Sequence, residues 1–189
     1  MEKILLADDD RVVLFTLAEG LREAGFDVVE AHDGLEALAF CQSQTPALAL
    51  LDIRMPGLSG LELAHRLRDE TTVPFMFFSA YGDEEFVRQA VEIGALGYLI
   101  KPLQVSAIVP MIRTALARAQ EINGLQHALT SNRTIATAVG LVMRAEGIDQ
   151  AAAFERLRRQ ARTERRKLEE LARILVEAEN SRDAGRGIP

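Results

Sequence analysis

Cysteine is nearly absent from this chain. Cys41 is the only one in 189 residues, which excludes an internal disulfide and any zinc site built from cysteines. It reads as a small buried filler on a helix. Long apolar runs are also missing. The longest, such as "PALALL", are far too short to span a bilayer, so no membrane partner is expected. No signal-peptide pattern opens the sequence, because acids sit beside Met1 and the first apolar run. A cytoplasmic protein is the default expectation. Internal repeats and low-complexity segments are lacking. Aromatic residues are scarce, and Phe154 is the only one after residue 122. What remains is ordinary globular composition, 48% hydrophobic and 26% charged. The length suits one large domain or two small ones.

Charge is unevenly spread. Residues 1–122 hold 19 Asp/Glu against 10 Lys/Arg, a net of -9. Residues 123–189 hold 9 against 12, a net of +3, within a chain of net charge -6. Two parts with different partners are implied. The stretch "RLRRQARTERRK" (156–167) carries seven Lys/Arg and one acid. It is either a hand for a polyanion or the wet side of a helix.

The first part alternates short apolar runs with amphipathic segments. "KILLAD" (3–8), "DVVEA" (27–31), "ALALLD" (47–52), "VPFMFFS" (73–79) and "GYLI" (97–100) read as strands. Several are apolar throughout, as in a parallel sheet buried on both faces. Between them the spacing predicts helices over roughly 10–24, 34–44, 59–69 and 83–94. Gly25 and Gly94 stand where helix stops belong. The fold class is therefore α/β, a doubly wound five-stranded parallel sheet.

A fifth helix is expected from Ser106, with Pro110 in its tolerant first turn. Ile108, Ile112, Ala115, Ala119 and Ile122 recur at 4, 3, 4, 3, and the seam continues through Leu125 and Leu129. It packs on its own sheet, or joins two chains as a short coiled coil. "NG" (123–124) is a candidate break. The tail reads as three helices, over about 125–146, 150–162 and 164–178. Gly147 would stop the first, Asp149 cap the second and Thr163 cap the third. One unbroken helix across Thr163 also fits the pattern. Phe154, Met143 and Leu157 are expected in its core. The last residues, "NSRDAGRGIP", read as a frayed end.

The chemistry lies at strand ends. Ligands of parallel sheets bind at the carboxyl edge, near the reversal of strand order. There "ADDD" supplies Asp8 and Asp9, and "LLDIRMPG" supplies Asp52. Three crowded carboxylates stay ionised only beside a cation, and oxygen ligands without His or Cys suit Mg²⁺. Ser79 ends the fourth strand, and Lys101 in "IKP" follows the fifth. Acids for a metal, a hydroxyl and an ammonium make a site for a phosphoryl group. An Asp pair alone is a weak signal, since such acids also cap helices. Five complementary groups in order are far more specific.

These motifs, with "FFSAYGD" and "GYLIKPL", resemble the receiver domain of bacterial two-component response regulators, a flavodoxin-like fold. The resemblance implies that Asp52 accepts phosphate from a histidine kinase. Asp8, Asp9, Asp52 and the backbone carbonyl of Arg54 would hold Mg²⁺. Lys101 would pair with a phosphoryl oxygen, and Ser79 would bond the phosphate. Tyr98 stands at the aromatic switch position. Met55, Pro56 and Gly60 fit the loop shaping the pocket, and Pro102 fits an X-Pro bond that is often cis. Such a protein is not an enzyme beyond assisting its own phosphorylation and dephosphorylation.

Residues 125–178 resemble an ANTAR domain, the RNA-binding output of AmiR–NasR type antiterminators. The match rests on Arg133, Ile135, Ala138, Gly140, Val142, Met143, Ala153, Phe154, Leu157, Ala161, Leu171 and Ala172. The resemblance implies a three-helix unit that binds paired RNA hairpins as a dimer and prevents a terminator from forming. The expected organisation is a receiver over 1–122, a helical linker over 123–130, a three-helix domain over 131–178 and a flexible tail over 179–189. Candidate RNA contacts are Arg133, Arg144, Arg158, Arg159, Arg162, Arg165, Arg166 and Lys167. The last three are placed in the first turn of the third helix, as part of a phosphate site. With Phe154 taken as buried, arginine planes rather than aromatic rings would meet the loop bases. The alternatives are a DNA-binding output, a protein-interaction output and, on the acids alone, a metal-dependent phosphohydrolase. No convincing recognition-helix pattern favours the DNA reading.

Overall fold

The computed structural model describes residues 1–186 apart from Tyr81, Asp83 and Leu103, with side chains through residue 181. Two positions of "FFSAYGD", one of "GYLIKPL" and residues 187–189 thus lie outside the described residues. The chain divides into two compact units, Met1–Glu121 and Ile122–Pro189.

The first unit alternates β1 (Lys3–Ala7), α1 (Arg11–Glu23), β2 (Asp27–Ala31), α2 (Gly34–Ser43), β3 (Leu48–Leu51), α3 (Gly60–Glu70), β4 (Phe75–Ser79), α4 (Glu84–Ile93) and β5 (Tyr98–Ile100), then α5 (Val105–Glu146). The strands pair in parallel in the order β2-β1-β3-β4-β5. Successive strand residues face opposite sides, so apolar runs feed two cores. Leu5, Leu51 and Phe77 pack with Leu38 of α2, Leu63 of α3 and Ile93 of α4. Ile4, Leu50 and Phe78 pack with Leu14 and Leu17 of α1 and with Ile108 and Ile112 of α5. Side-chain oxygens fix the helix starts. Asp10 and Asp33 accept backbone N–H groups of α1 and α2, and Ser59 forms a capping box with Glu62 on α3.

The helical part departs from the sequence reading at four points. First, α5 is one helix of 42 residues, and Asn123-Gly124 does not break it. A helical glycine costs about 1 kcal/mol relative to Ala, too little to stop a run of Ala, Leu, Gln and Arg. Nor does Ser106 cap it: the helix begins at Val105, with the Gln104 carbonyl accepting from Ile108. Pro110 therefore lies beyond the orphan N–H groups of the first turn, and the Ser106 carbonyl lacks its usual helical donor. Second, the apolar seam is two things. Ile108, Ile112, Ala115 and Ala119 are buried, whereas Ile122, Leu125 and Leu129 are exposed.

Third, α6 (Gln150–Thr163) and α7 (Leu168–Arg186) are separate, but Thr163 caps nothing. Its hydroxyl donates to the Arg159 carbonyl inside α6. The break lies at 164–167. Arg166 donates its backbone N–H to the Ala161 carbonyl and Arg165 to that of Arg162, a Schellman closure. Arg165 takes the left-handed position with φ 54°, where the preceding stop uses Gly147 at φ 66°. Fourth, α7 reaches Arg186, so helix continues into the segment expected to fray.

The second core joins Ala138 and Val139 of α5, Ala153, Leu157 and Ala161 of α6, and Leu171 and Ala172 of α7. Met143 packs at its edge. Phe154 does not belong to the buried set and is 38% exposed. The inward stripe of α6 runs 153-157-161, not 154-157-161. Alanines of α5, α6 and α7 share this core, and the neighbouring Phe154 lies on its flank. Ala153→Leu should therefore overpack this core and destabilise the second unit by about 1–3 kcal/mol, read as a lower urea midpoint; an unchanged midpoint would mean that this contact is not tight.

Candidate functional site: a carboxylate pocket and a basic helical unit

The parallel register carries the ends of β1 and β3 to one edge of the sheet. Asp8 follows β1 and Asp52 follows β3, and both are buried. Asp9 is exposed. Carboxylate oxygens of Asp8, Asp9 and Asp52 lie within 4.8 Å of one another. Lys101, just after β5, reaches across to them. Its Nζ lies 2.5 Å from Asp8 Oδ2 and 2.9 Å from Asp52 Oδ1. It also stands 4.8 Å from the centre of the Phe78 ring, a contact the sequence reading missed. The Asp10 amide donates to Asp8 Oδ1 at 2.9 Å, and the Arg54 amide to Asp52 Oδ2 at 2.7 Å.

The third acid of "ADDD" does different work. Asp10 caps α1 by accepting from the Val12 and Val13 amides. Its position just before an amphipathic run was the available signal. Gly60 shapes the loop after Asp52: a Cβ there would stand 2.0 Å from the Asp52 carbonyl oxygen. Ser79 is buried at the end of β4, and its carbonyl accepts from the Lys101 amide. Tyr98 is half-buried, its ring centre 6.4 Å from that of Phe77. Met55 is buried. The Lys101–Pro102 bond is cis.

Burial pushes the Asp8 carboxyl above its ordinary range, against the hydrogen bonds from Lys101 and Asp10. Burial alone would lower Lys101, but its bonds to Asp8 and Asp52 and their charges outweigh it, and its pKa is raised. The signs differ in consequence. The contribution of Lys101 to stability is complete below its unfolded pKa near 10.5 and is lost only as pH rises through the higher folded value. That of Asp8 is complete below about 3.8 and is lost as pH rises through its raised value. Lys101 thus offsets part of the cost of burying the Asp8 carboxylate. An all-oxygen donor set of this kind fits a hard divalent cation.

In the second unit, Arg133, Arg144, Arg158, Arg159, Arg162, Arg165, Arg166 and Lys167 are all exposed. Arg144 is bound to Glu179 at 2.6 Å and Arg158 to Glu155 at 3.3 Å. Arg166 lies 3.8 Å from Glu164 and 3.9 Å from Glu170. Arg133, Arg159, Arg162, Arg165 and Lys167 form no ion pair among the described residues. The expected placement of Arg165, Arg166 and Lys167 in a helical first turn is wrong. They form the connection before α7, whose own first turn carries Glu169 and Glu170. Those acids suit a helix N-terminus, and the three cations stand just before it.

The first-unit geometry matches a known family. Residues 4–113 match the sequence profile of the response regulator receiver domain, and residues 123–176 match that of the ANTAR domain. The chain belongs to the response regulators. It carries a receiver domain followed by an ANTAR output. The transcriptional regulatory protein PdtaR of Mycobacterium tuberculosis is 30% identical over 183 residues, covering 93% of this chain and 89% of the relative. CseB of Streptomyces coelicolor is 37% identical over 121 residues, 64% of this chain and 52% of the relative. A CheY-like receiver domain protein from Methanospirillum hungatei superposes with a TM-score of 0.61 at 25% identity, over 64% of this chain and 98% of that one. No helix among the described residues of this response regulator is long and apolar enough to cross a membrane.

Lys101→Met should expose the role of the ammonium. Without metal it leaves two close carboxylates uncompensated and should cost about 3 kcal/mol at pH 7. Added Mg²⁺ should restore more stability to this variant than to the wild type. Equal thermal shifts in both proteins would show that metal and lysine do not share one pocket.

Proposed function

We propose that Asp52 is the phosphoacceptor of this response regulator and that a histidine kinase is the donor. The observation that carries the reading is the joint approach of Asp8, Asp9, Asp52 and Lys101 at one sheet edge. Asp52 Oδ attacks the phosphorus of the donor, forming a P–O bond as the P–N bond to histidine breaks. Asp8, Asp9, Asp52 and the Arg54 carbonyl would hold Mg²⁺, which neutralises charge on the transferring group. Lys101 then exchanges a carboxylate partner for a phosphoryl oxygen. Ser79 bonds the phosphate, and Tyr98 reports that bond outward as the switch residue. The new dianion biases a two-state loop through charge-assisted bonds. Catalysis of any other reaction is not proposed, and the setting is taken as cytoplasmic.

The output is RNA binding that acts in transcription antitermination, by favouring a hairpin arrangement in which a terminator does not form. We take 1–122 as the receiver, 123–130 as linker and 131–178 as the output. The unpaired Arg133, Arg159, Arg162, Arg165 and Lys167 support a polyanion partner, with Arg144, Arg158 and Arg166 beside them in internal ion pairs. Ile122, Leu125 and Leu129, exposed on α5, support a dimer of the phosphorylated form, which would engage paired hairpins with raised avidity.

Asp52→Asn should abolish labelling by a small phosphodonor, and undiminished labelling would refute the acceptor assignment. Gel shifts of the phosphorylated protein should favour RNA hairpins over duplex DNA, and the opposite preference would refute the output. In ultracentrifugation, a phosphate mimic should shift the protein toward dimer, and Leu125→Glu with Leu129→Glu should reverse that shift. A monomer unchanged by the mimic would contradict the proposed assembly.

A further inference from the structure

Phe154 is the single aromatic of the output half, and the fold leaves it at the surface. It borders an open cleft of about 520 Å³ between α5 and α6, lined also by Asn132, Ile135, Val139 and Gln150. The cleft has an apolar floor and carries no charged residue in its lining. Two side-chain amides, Asn132 and Gln150, offer both donors and acceptors. Its volume lies in the range of sites that take small planar ligands.

The surroundings favour an anionic owner of that ligand. On α6, Arg158 and Arg162 follow Phe154 at i+4 and i+8, one stripe of the helix. On α5, Arg133, Gly140 and Arg144 fall within about 20° of a common line, roughly 100° around the helix from Asn132 and Val139. Two acids lie close, but both have internal partners. Asp149 caps α6 through the Ala152 amide, and Glu155 pairs with Arg158. Gly140 stands in open space: nothing among the described residues lies within 4 Å of where its Cβ would be. An exposed glycine in a helix interior is unfavourable, and without a Cβ it would let another molecule's backbone come close.

We infer that the cleft between α5 and α6 receives one unstacked base of a single-stranded RNA loop, with Phe154 as its stacking platform. The amides of Asn132 and Gln150 read the base edge. Arg133 and Arg162 meet the flanking phosphates, and Gly140 admits the sugar-phosphate backbone. The inference rests on the RNA-binding reading above and deepens it, because aromatic stacking rather than arginine planes alone would hold a loop base.

The probe is a hairpin selected by the phosphorylated full-length protein from RNA with randomised loops, alongside its stem closed as a plain duplex. Phe154→Ala and Phe154→Leu should weaken hairpin binding about tenfold or more, while Phe154→Trp should bind like the wild type. Gly140→Ala should also weaken binding, with an unchanged or higher Tm. Plain-duplex binding should not respond to any of these changes. If the wild type selects no hairpin, the RNA reading falls and the inference with it. If the wild type binds and all four variants bind equally well, the base site alone is overturned. If the variants lose dimerisation and bind RNA normally once dimeric, the cleft is a protein contact and the inference is again overturned.

Discussion

Two buried carboxylates and one half-buried ammonium hold the carboxyl edge of the receiver in balance. Asp8 and Asp52 stand close because β1 and β3 are adjacent and in register, so their terminal residues have no alternative place. Burial raises the Asp8 pKa, and Lys101 bridges Asp8 and Asp52. A site built this way is sensitive to any change of charge. A cation or a phosphoryl group would alter the partners of Lys101, which precedes the cis bond to Pro102 just after β5. Gly60 keeps the Asp52 loop tight by carrying no Cβ.

The output depends on a different kind of economy. Its core is small and rich in alanine, with Ala138, Ala153, Ala161 and Ala172 at helix contacts. Close helix approach leaves larger groups at the edges. Phe154 and the arginines therefore face solvent. The long α5 supplies Ile108 and Ile112 to the receiver core and Ala138 and Val139 to the output core. One continuous helix thus contributes residues to both cores.

Most of the receiver was legible because its signals are local and redundant. Five apolar strands, their order and the acids at their ends agree with one another, so Asp8, Asp52 and Lys101 were brought together as expected. The helical half was read less well. A heptad phase through Phe154, Leu157 and Ala161 and a 4-residue phase through Ala153, Leu157 and Ala161 share two of three positions. Only packing decides between them. Asn123-Gly124 looked like a break because glycine is unfavourable in helices, yet its cost is small beside the flanking helix formers. The stop at Arg165 was hidden because an arginine occupies a position that glycine normally marks. Thr163 was then assigned to the third helix instead of α6, and the charges after it to that helix's first turn instead of the connection before it.

The central claim is that charge at Asp52 controls the RNA surface. Equilibrium affinity for one RNA hairpin, measured on the full-length protein with and without a phosphate mimic, tests it most directly. RNA should bind more tightly with the mimic, and by linkage the mimic should gain an equal factor in affinity when RNA is bound. In Asp52→Asn both effects should vanish. Identical RNA affinity in the two states of the wild-type protein would contradict the account.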